Sequence, residues 1–249
     1  RDVHRSYLDA GSRLLLTNTF GGNRFRLGMH EIQSRVTELN LAGAQQVRAE
    51  VDAYGSLALA AGDIGPSGEI LAPLGTLEYS EAVEGFMEQA SALIDGGVDV
   101  IWIETMSALQ VVRAAMDGVR RVSTQIPIIT TMTFDTRGHT MMGVSPEDAV
   151  TSLSQGGAVA VGANCGNGPE EIIDVISKMR RVSPNSLLVA KSNAGVPELV
   201  NGQAVYGASP NAMADYTVAA MAAGARLIGG CCGSTPSHVE AMAEVLASE

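Results

Sequence analysis

The sequence predicts an α/β protein of the (β/α)8 barrel class, and three observations support that prediction. Apolar segments rich in Val, Ile and Leu alternate with segments of helical spacing along the chain, as buried parallel strands joined by helices do. Several of the apolar segments end in polar residues, which is typical of barrel strands whose carboxyl ends form a site. The alternation shows no evident switch point, and this favours a barrel over an open doubly wound sheet.

Seven strands are expected, one fewer than a closed (β/α)8 barrel contains. Their predicted bounds are 13–20, 57–65, 99–106, 127–134, 158–166, 186–195 and 225–233. A helix over residues 1–10 is predicted to lead into the first of them. We therefore expect one barrel domain over residues 1–249 that lacks its first strand at the N-terminus. A seven-stranded doubly wound sheet is the alternative.

The helical segments lie between these strands. Their predicted bounds are 30–54, 80–95, 108–122, 145–155, 169–182, 210–223 and 236–247. Three of them begin with a hydroxyl residue followed by proline, at Ser145-Pro146, Ser209-Pro210 and Thr235-Pro236. A hydroxyl at the N-cap and a proline at the first helical position are typical helix starts.

Composition limits the partners and the location. Hydrophobic residues make up 46% of the chain and charged residues 17%, which excludes intrinsic disorder. The net charge of −11 makes nucleic acid and anionic membrane surfaces poor partners. The longest uncharged stretch, 149–169, contains several polar and glycine residues, so no transmembrane helix is expected. No secretory signal is recognised at the polar start of the chain, and a cytoplasmic location is expected.

The three cysteines are the strongest chemical signal. Cys165 ends one predicted strand, and Cys231 and Cys232 end another, so all three should lie at the same mouth of a parallel barrel. An odd number of cysteines argues against a disulfide framework. Catalytic zinc commonly takes three protein ligands and keeps an open position, and three thiolates would suit it. The alternative is three small buried hydrophobic residues.

Glycines flank these cysteines closely. We expect them to bend the backbone so that neighbouring sulfurs can face one ion, which regular strand residues cannot do. They are Gly162, Gly166, Gly229, Gly230 and Gly233.

Four further residues at predicted strand ends are weighed for a role in the site. Glu104 follows an apolar run and needs a partner at that depth, which is either a ligand or a salt bridge inside the barrel. The amide oxygen of Asn193 could take the fourth zinc position or hold a turn. Asn18 either contacts substrate or caps the following loop. Asn164 should support a loop and not ligate.

Two segments closely resemble the zinc signatures of the homocysteine S-methyltransferase family, namely Gly162-Ala-Asn-Cys-Gly166 and Gly229-Gly-Cys-Cys-Gly-Ser-Thr-Pro236. Further stretches at 17–20, 62–66, 103–106, 132–134 and 192–195 agree, so the resemblance covers essentially the whole chain. The family includes betaine–homocysteine methyltransferases, S-methylmethionine-dependent enzymes and the homocysteine domain of cobalamin-dependent methionine synthase. The stretches 65–68 and 73–75 most resemble the last of these.

The resemblance implies a TIM barrel that uses zinc to methylate the thiol of homocysteine, forming methionine. It implies that Cys165, Cys231 and Cys232 are the metal ligands and the catalytic residues, and that Glu104 binds the homocysteine ammonium group. Asn18 and Asn193 complete the expected substrate-binding set. The methyl donor stays open among methylfolate, a corrinoid, betaine and S-methylmethionine, and so does a homo-oligomeric state.

Two alternatives stay open beside this function. The first is a zinc-binding remnant or partner subunit without turnover, which loss of the first strand would favour. The second is a barrel lyase or aldolase without zinc, which needs a basic lysine at a strand end. Lys191 is the strand-borne candidate for that base. Zinc content separates the metal-binding functions from the lyase.

Overall fold

A computed structural model describes residues 1–55 and 58–248. Nine strands are described, and seven of them form one parallel sheet. They are β1 (Leu14–Leu16), β2 (Leu59–Ile64), β3 (Val100–Met106), β4 (Ile128–Met132), β5 (Ala160–Cys165), β6 (Leu188–Ser192), β7 (Pro197–Val200), β8 (Gln203–Tyr206) and β9 (Ala225–Gly230). The start of the predicted second strand, at Leu57, lies outside the described residues.

The order of the strands in the sheet decides the fold class. The seven-stranded sheet runs β1-β2-β3-β4-β5-β6-β9, in chain order and parallel throughout. A doubly wound sheet reverses its order at a switch point, so that alternative is wrong. The sheet curls into a half-barrel with helices between its strands. This is a TIM-like barrel that lacks one strand, as predicted.

Helices cover the outer face of the sheet. Their bounds are α1 (Asp2–Asp9), α2 (Arg24–Gly28), α3 (Val36–Tyr54), α4 (Tyr79–Asp95), α5 (Leu109–Val122), α6 (Pro146–Gln155), α7 (Pro169–Val182), α8 (Pro210–Ala223) and α9 (Pro236–Ala247). The predicted starts are confirmed at α6 and α8, where Ser145 and Ser209 side chains accept the backbone N–H groups of Asp148 and Ala212 at 3.0 and 3.2 Å. None of the described helices is long and apolar enough to cross a membrane.

Two parts of the fold differ from the prediction. The expected helix over 30–54 begins only at Val36, after a 3₁₀ turn at Gln33–Arg35, and the short α2 precedes it. An antiparallel hairpin, β7–β8, lies between β6 and α8. Its turn contains Asn201 at φ +52° and Gly202 at φ +79°. The Asn-Gly pair is the usual signal for such a hairpin turn, and it was present in the sequence.

The inner face of the half-barrel is apolar toward the N-terminal ends of its strands and charged near the mouth, at their C-terminal ends. The apolar layer consists of Ala61, Val100, Trp102, Ile129, Ala160 and Val189, with Leu14, Leu16 and Leu227 packed against it. Side chains alternate between the two faces of a strand, so residues two positions beyond this layer face inward as well. Asp63, Glu104 and Lys191 stand at such positions on β2, β3 and β6.

The two outer strands of the sheet are β1 and β9, and an apolar cavity of about 540 Å³ lies between them. Helices α1 and α9 form its outer wall, through residues such as Tyr7 and Met242. The cavity, here called the strand gap, reaches the barrel interior at Trp102 and Lys191 and the thiol cluster at Cys231.

Candidate active site

The three cysteines meet at the mouth of the half-barrel. The Sγ atom of Cys165 lies 2.9 Å from that of Cys231 and 3.9 Å from that of Cys232. All three sulfur atoms lie within 4.8 Å of one another. Cys165 ends β5, and the other two follow β9, so the fold joins residues that are 66 and 67 positions apart. The predicted convergence of the three thiols is confirmed.

The bend that turns these sulfurs inward lies partly on the cysteine itself. Cys165 adopts φ +61°, in the left-handed region that non-glycine residues rarely occupy. Gly166 and Gly233 follow the two cysteine turns with φ values of +67° and +78°. These two glycines act as predicted, since they supply left-handed backbone.

Gly162 and Gly230 serve a different purpose from the predicted one. A Cβ on Gly162 would lie 1.9 Å from the carbonyl oxygen of Val189, and a Cβ on Gly230 would lie 2.3 Å from Ser234 Oγ. Both glycines therefore permit close packing, and neither has a positive φ. Gly229 has space beside it, because the nearest atom to its Cβ position is Lys191 Cγ at 3.7 Å.

Two asparagines hold the cysteine turns in place. Buried Asn164 accepts the Thr105 N–H at 2.9 Å, donates to Thr105 Oγ1 at 2.7 Å, and donates to Cys165 Sγ at 3.5 Å. Asn193 accepts the Cys232 N–H at 3.1 Å and donates to the Gly166 carbonyl at 3.0 Å. Its amide oxygen is therefore already engaged, and this geometry favours the turn-holding alternative over a fourth metal ligand.

Hydrogen bonds among the thiols shift the pKa values of Cys165 and Cys232 in opposite directions. Bonds to Cys231 and Cys232 raise the pKa of Cys165 above the ordinary thiol value. The bond from Cys165 in turn lowers the pKa of Cys232 to about 2. The cluster thus favours a thiolate at Cys232, the exposed member, next to a protonated Cys165. A thiolate is the form of cysteine that binds metals.

The sulfur positions suit a tetrahedral metal site. Zn–S bonds of about 2.3 Å place two sulfurs of one tetrahedron about 3.8 Å apart. The Cys165–Cys232 separation of 3.9 Å already has that value, and Cys165–Cys231 at 2.9 Å needs a small outward movement. Three soft donors at an open mouth leave one coordination position for a further ligand.

Glu104 has a partner inside the half-barrel. Its side chain is buried, and its Oε2 accepts a hydrogen bond from Lys191 Nζ. Burial raises the pKa of Glu104, although Lys191 opposes the shift. Burial also pulls the pKa of Lys191 down, but Glu104 and the other nearby anions outweigh it and raise that pKa overall. Lys191 is therefore a protonated counter-ion of Glu104. Sequence reasoning had considered it only as a base.

Asp63 is a charged residue of the site that sequence reasoning missed. It is 4% exposed, and it lies beside Trp102 in the β2–β3 register. Its Oδ1 has no hydrogen-bond partner among the described residues. Burial, followed by the charge of Glu104, raises the pKa of Asp63 well above the ordinary value. The signal for it was an acidic residue within the apolar strand segment at 59–64.

Asn18 lies in the loop that follows β1. Its side chain is exposed and lines the strand gap, the cavity that also reaches Lys191 and Cys231. The loop around it is fixed by neighbours, since Thr19 Oγ1 donates to the Asp63 carbonyl at 2.8 Å. Asn18 as a substrate contact stays a prediction.

Comparison with known proteins gives a consistent result. The family model described as homocysteine S-methyltransferase matches residues 1–246. The methionine synthases of Mycobacterium tuberculosis and Mycobacterium leprae are each 34% identical to the chain, over 99% and 98% of its length. The chain spans about a fifth of those relatives, 21% in each case.

A solved structure agrees at the level of the fold. The metallated form of the homocysteine methyltransferase MmuM from Escherichia coli superimposes with a TM-score of 0.77 at 24% identity, covering 98% of this chain and 83% of that one. The likeness extends over the half-barrel and its helices. With the family model matched from residue 1 to residue 246, the chain belongs to the homocysteine S-methyltransferase family.

Proposed function

We propose that this chain transfers a methyl group to the sulfur of homocysteine, forming methionine, with zinc held by Cys165, Cys231 and Cys232. The observation that supports this most directly is the convergence of the three sulfurs within 4.8 Å at the mouth of the half-barrel. Membership of the family and likeness to methionine synthases support the substrate and the product. The methyl donor remains one of the four named above.

The chemical problem is the acidity of the substrate thiol. A free alkyl thiol has a pKa above neutrality, so little of it is thiolate at pH 7. Bound zinc would act as a Lewis acid that lowers the pKa of a thiol in its open position. Three cysteine thiolates offset the charge of a divalent ion, so the substrate sulfur would keep the electron density that it needs to attack a methyl group.

The remaining residues would position the substrate. Asn164 and Asn193 fix the two cysteine turns, so the metal-binding sulfurs stay in place during turnover. Glu104 would bind the substrate ammonium group, sharing its carboxylate with Lys191. The exposed side of Cys232 leaves the mouth open to solvent, which is where the proton of the substrate thiol would leave. Holding the sulfur and the methyl group in line would supply much of the rate.

The lyase or aldolase alternative fits the site poorly. Such a lysine must lose its proton to act as a base or to form a Schiff base. Lys191 lies between Glu104 and other anionic groups, and its raised pKa keeps the proton on it. The charge around Lys191 therefore opposes that chemistry.

The test of the proposed function combines metal content with methyl transfer. Purified reduced chain should contain about one zinc per molecule and should methylate homocysteine with one of the four donors. Cys165→Ser, Cys231→Ser and Cys232→Ser should each lose zinc and activity. Met141→Ser, which removes an exposed sulfur outside the site, is the matched control and should behave as wild type.

X-ray absorption at the zinc edge tests the role of the metal directly. Homocysteine should raise the number of sulfur neighbours from three to four. An unchanged number under saturating homocysteine would show that the substrate thiol does not enter the metal's coordination shell. Zinc binding with four sulfurs but no methyl transfer to homocysteine from any donor would support the binding remnant without turnover.

A further inference from the structure

Three ionisable side chains are buried together on the inner face of the half-barrel. Asp63 and Glu104 are 4% and 6% exposed, and the Lys191 side chain is 11% exposed. They come from β2, β3 and β6, and Asp63 stands opposite Trp102, two residues before Glu104. The charges of Glu104 and Lys191 both act on the Asp63 carboxyl group. When all three are ionised, the group has two negative charges and one positive charge. Buried charge of one sign is costly unless a partner neutralises it.

Asp63 is the member of this group without a partner. Glu104 is paired with Lys191, whereas Asp63 Oδ1 accepts no hydrogen bond within residues 1–55 and 58–248. The carboxylate also cannot relax easily toward solvent, because the backbone of Asp63 is anchored. Its N–H donates to Thr17 Oγ1 at 2.9 Å, and its carbonyl accepts from Thr19 Oγ1. A fixed, buried and unpaired acceptor is suited to a ligand that brings a positive charge.

We propose that Asp63 is a specificity-determining residue that binds the ammonium group of an α-amino-acid thiol together with Glu104. This inference rests on the proposed function, because it concerns the substrate of the same site. One added ammonium group makes the charge of the buried cluster zero, and it provides the donor that Asp63 Oδ1 lacks. A thiol without an amino group leaves the cluster unbalanced, so Asp63 selects for the amino acid.

The experiment compares two thiols on full-length chain loaded with zinc. Homocysteine has the ammonium group, and 4-mercaptobutanoic acid has the same carbon chain, thiol and carboxylate without it. Calorimetric titration measures the affinity of wild type, Asp63→Asn and Asp63→Glu for each thiol. Asp215→Asn makes the same chemical change at an exposed position and is the matched control.

Asp63→Asn should weaken homocysteine binding about ten- to a hundredfold, the effect expected for losing a hydrogen bond to a charged group. Its affinity for 4-mercaptobutanoic acid should stay within about threefold of wild type. Asp63→Glu should retain most of the preference for homocysteine, and Asp215→Asn all of it. Zinc content and the thermal melting curve of each variant show that it is folded and loaded.

Three outcomes would contradict the inference, and they are distinguishable from failure of the proposed function. Unchanged homocysteine binding in Asp63→Asn would show that Asp63 does not contact the ammonium group. Equal losses for the two thiols would show that Asp63 only supports the fold. Loss of preference in both Asp63→Asn and Asp63→Glu, with both variants folded, would show that position and not charge matters. If wild type does not bind homocysteine, the proposed function fails as well.

Discussion

Glu104 and Lys191 face each other inside the half-barrel although 87 positions separate them in the chain. At the scale of single residues, the site consists of two kinds of buried group. The three thiols could hold a metal ion, and the two carboxylates with their one lysine are the groups that we propose for binding a charged substrate. Substitutions in the two sets have different energetic consequences, because a buried ion pair that loses one member leaves the other member unpaired.

Replacing Glu104 with Gln should lower both substrate affinity and stability. Homocysteine binding should weaken about ten- to a hundredfold, while zinc content stays the same. Losing one member of this buried pair should cost at most about 3–5 kcal/mol, because other anionic groups near Lys191 remain. Each kcal/mol corresponds to about 2–4 °C in melting temperature for a chain of this size. Calorimetric melting and ligand titration measure the two effects.

The double variant Glu104→Gln/Lys191→Met serves as the control for this prediction. It removes both charges, so it should recover much of the stability without recovering homocysteine affinity. Recovery of the affinity in the double variant would mean that Glu104 acts only through Lys191.

Asp63→Asn should make the substrate-free protein more stable at neutral pH. Burial raises the folded-state pKa of Asp63 above its unfolded value near 3.9, so the folded state binds the proton more tightly. Proton binding by Asp63 therefore stabilises the fold fully below pH 3.9, and this stabilisation is lost as pH rises through the folded-state pKa. The stability difference between variant and wild type should therefore grow from about pH 4 toward pH 8. Melting curves of both proteins across that pH range test this prediction. A stability difference that stays constant with pH would contradict it.

At the scale of elements, the cysteine turns depend on how closely β5, β6 and β9 approach one another. Asn164 stands opposite Lys191 in the β5–β6 register, and Lys191 stands opposite Gly229 in the β6–β9 register. The strands thus bring one thiol, the lysine and the other two thiols to adjacent positions. The tight contact at Gly162 is what allows β5 and β6 to pair in this way.

Gly162→Ala should therefore destabilise the chain far more than Gly229→Ala. The new methyl group at position 162 would meet a backbone carbonyl at 1.9 Å, whereas at position 229 it meets only Lys191 Cγ at 3.7 Å. Overpacking of this kind costs about 1–3 kcal/mol or more. Urea denaturation of both variants measures the difference. Equal urea midpoints for the two variants would show that β5 and β6 can move apart without a loss of stability.

At the scale of the whole molecule, a metal at the thiol cluster would tie two distant parts of the chain together. Cys165 ends the fifth strand of the sheet, and Cys231 and Cys232 follow its last strand. The last strand borders the strand gap, and among the described strands it pairs with β6 alone. Metal binding to the folded state alone would stabilise that edge by mass action.

Removing zinc with a chelator should lower the melting temperature of wild type by several degrees. Cys165→Ser should already melt at the lower temperature and should respond little to the chelator, because it lacks one ligand. Added zinc in excess of the chelator should restore wild type only. A chelator response of equal size in Cys165→Ser would place the stabilising metal elsewhere.

The sequence by itself determined the order of the elements and which three thiols meet at the mouth, the thiols that we propose as metal ligands. Strand periodicity, proline-led helix starts and the position of cysteines at strand ends are local patterns, and they predicted the parallel sheet and the meeting of Cys165 with Cys231. The Asn201-Gly202 signal for the hairpin is equally local.

The tertiary structure alone decided which groups are paired and which are not. Three features depend on register between strands that are distant in the chain. They are the Glu104–Lys191 ion pair, the engaged amide of Asn193, and the Oδ1 of Asp63, which has no partner in the described part of the chain. Gly162 looked like a turn residue from sequence, but its contact with Val189 shows that it permits close strand packing. Burial and hydrogen bonding are properties of the assembled half-barrel, because they are set by neighbours that the local sequence does not specify.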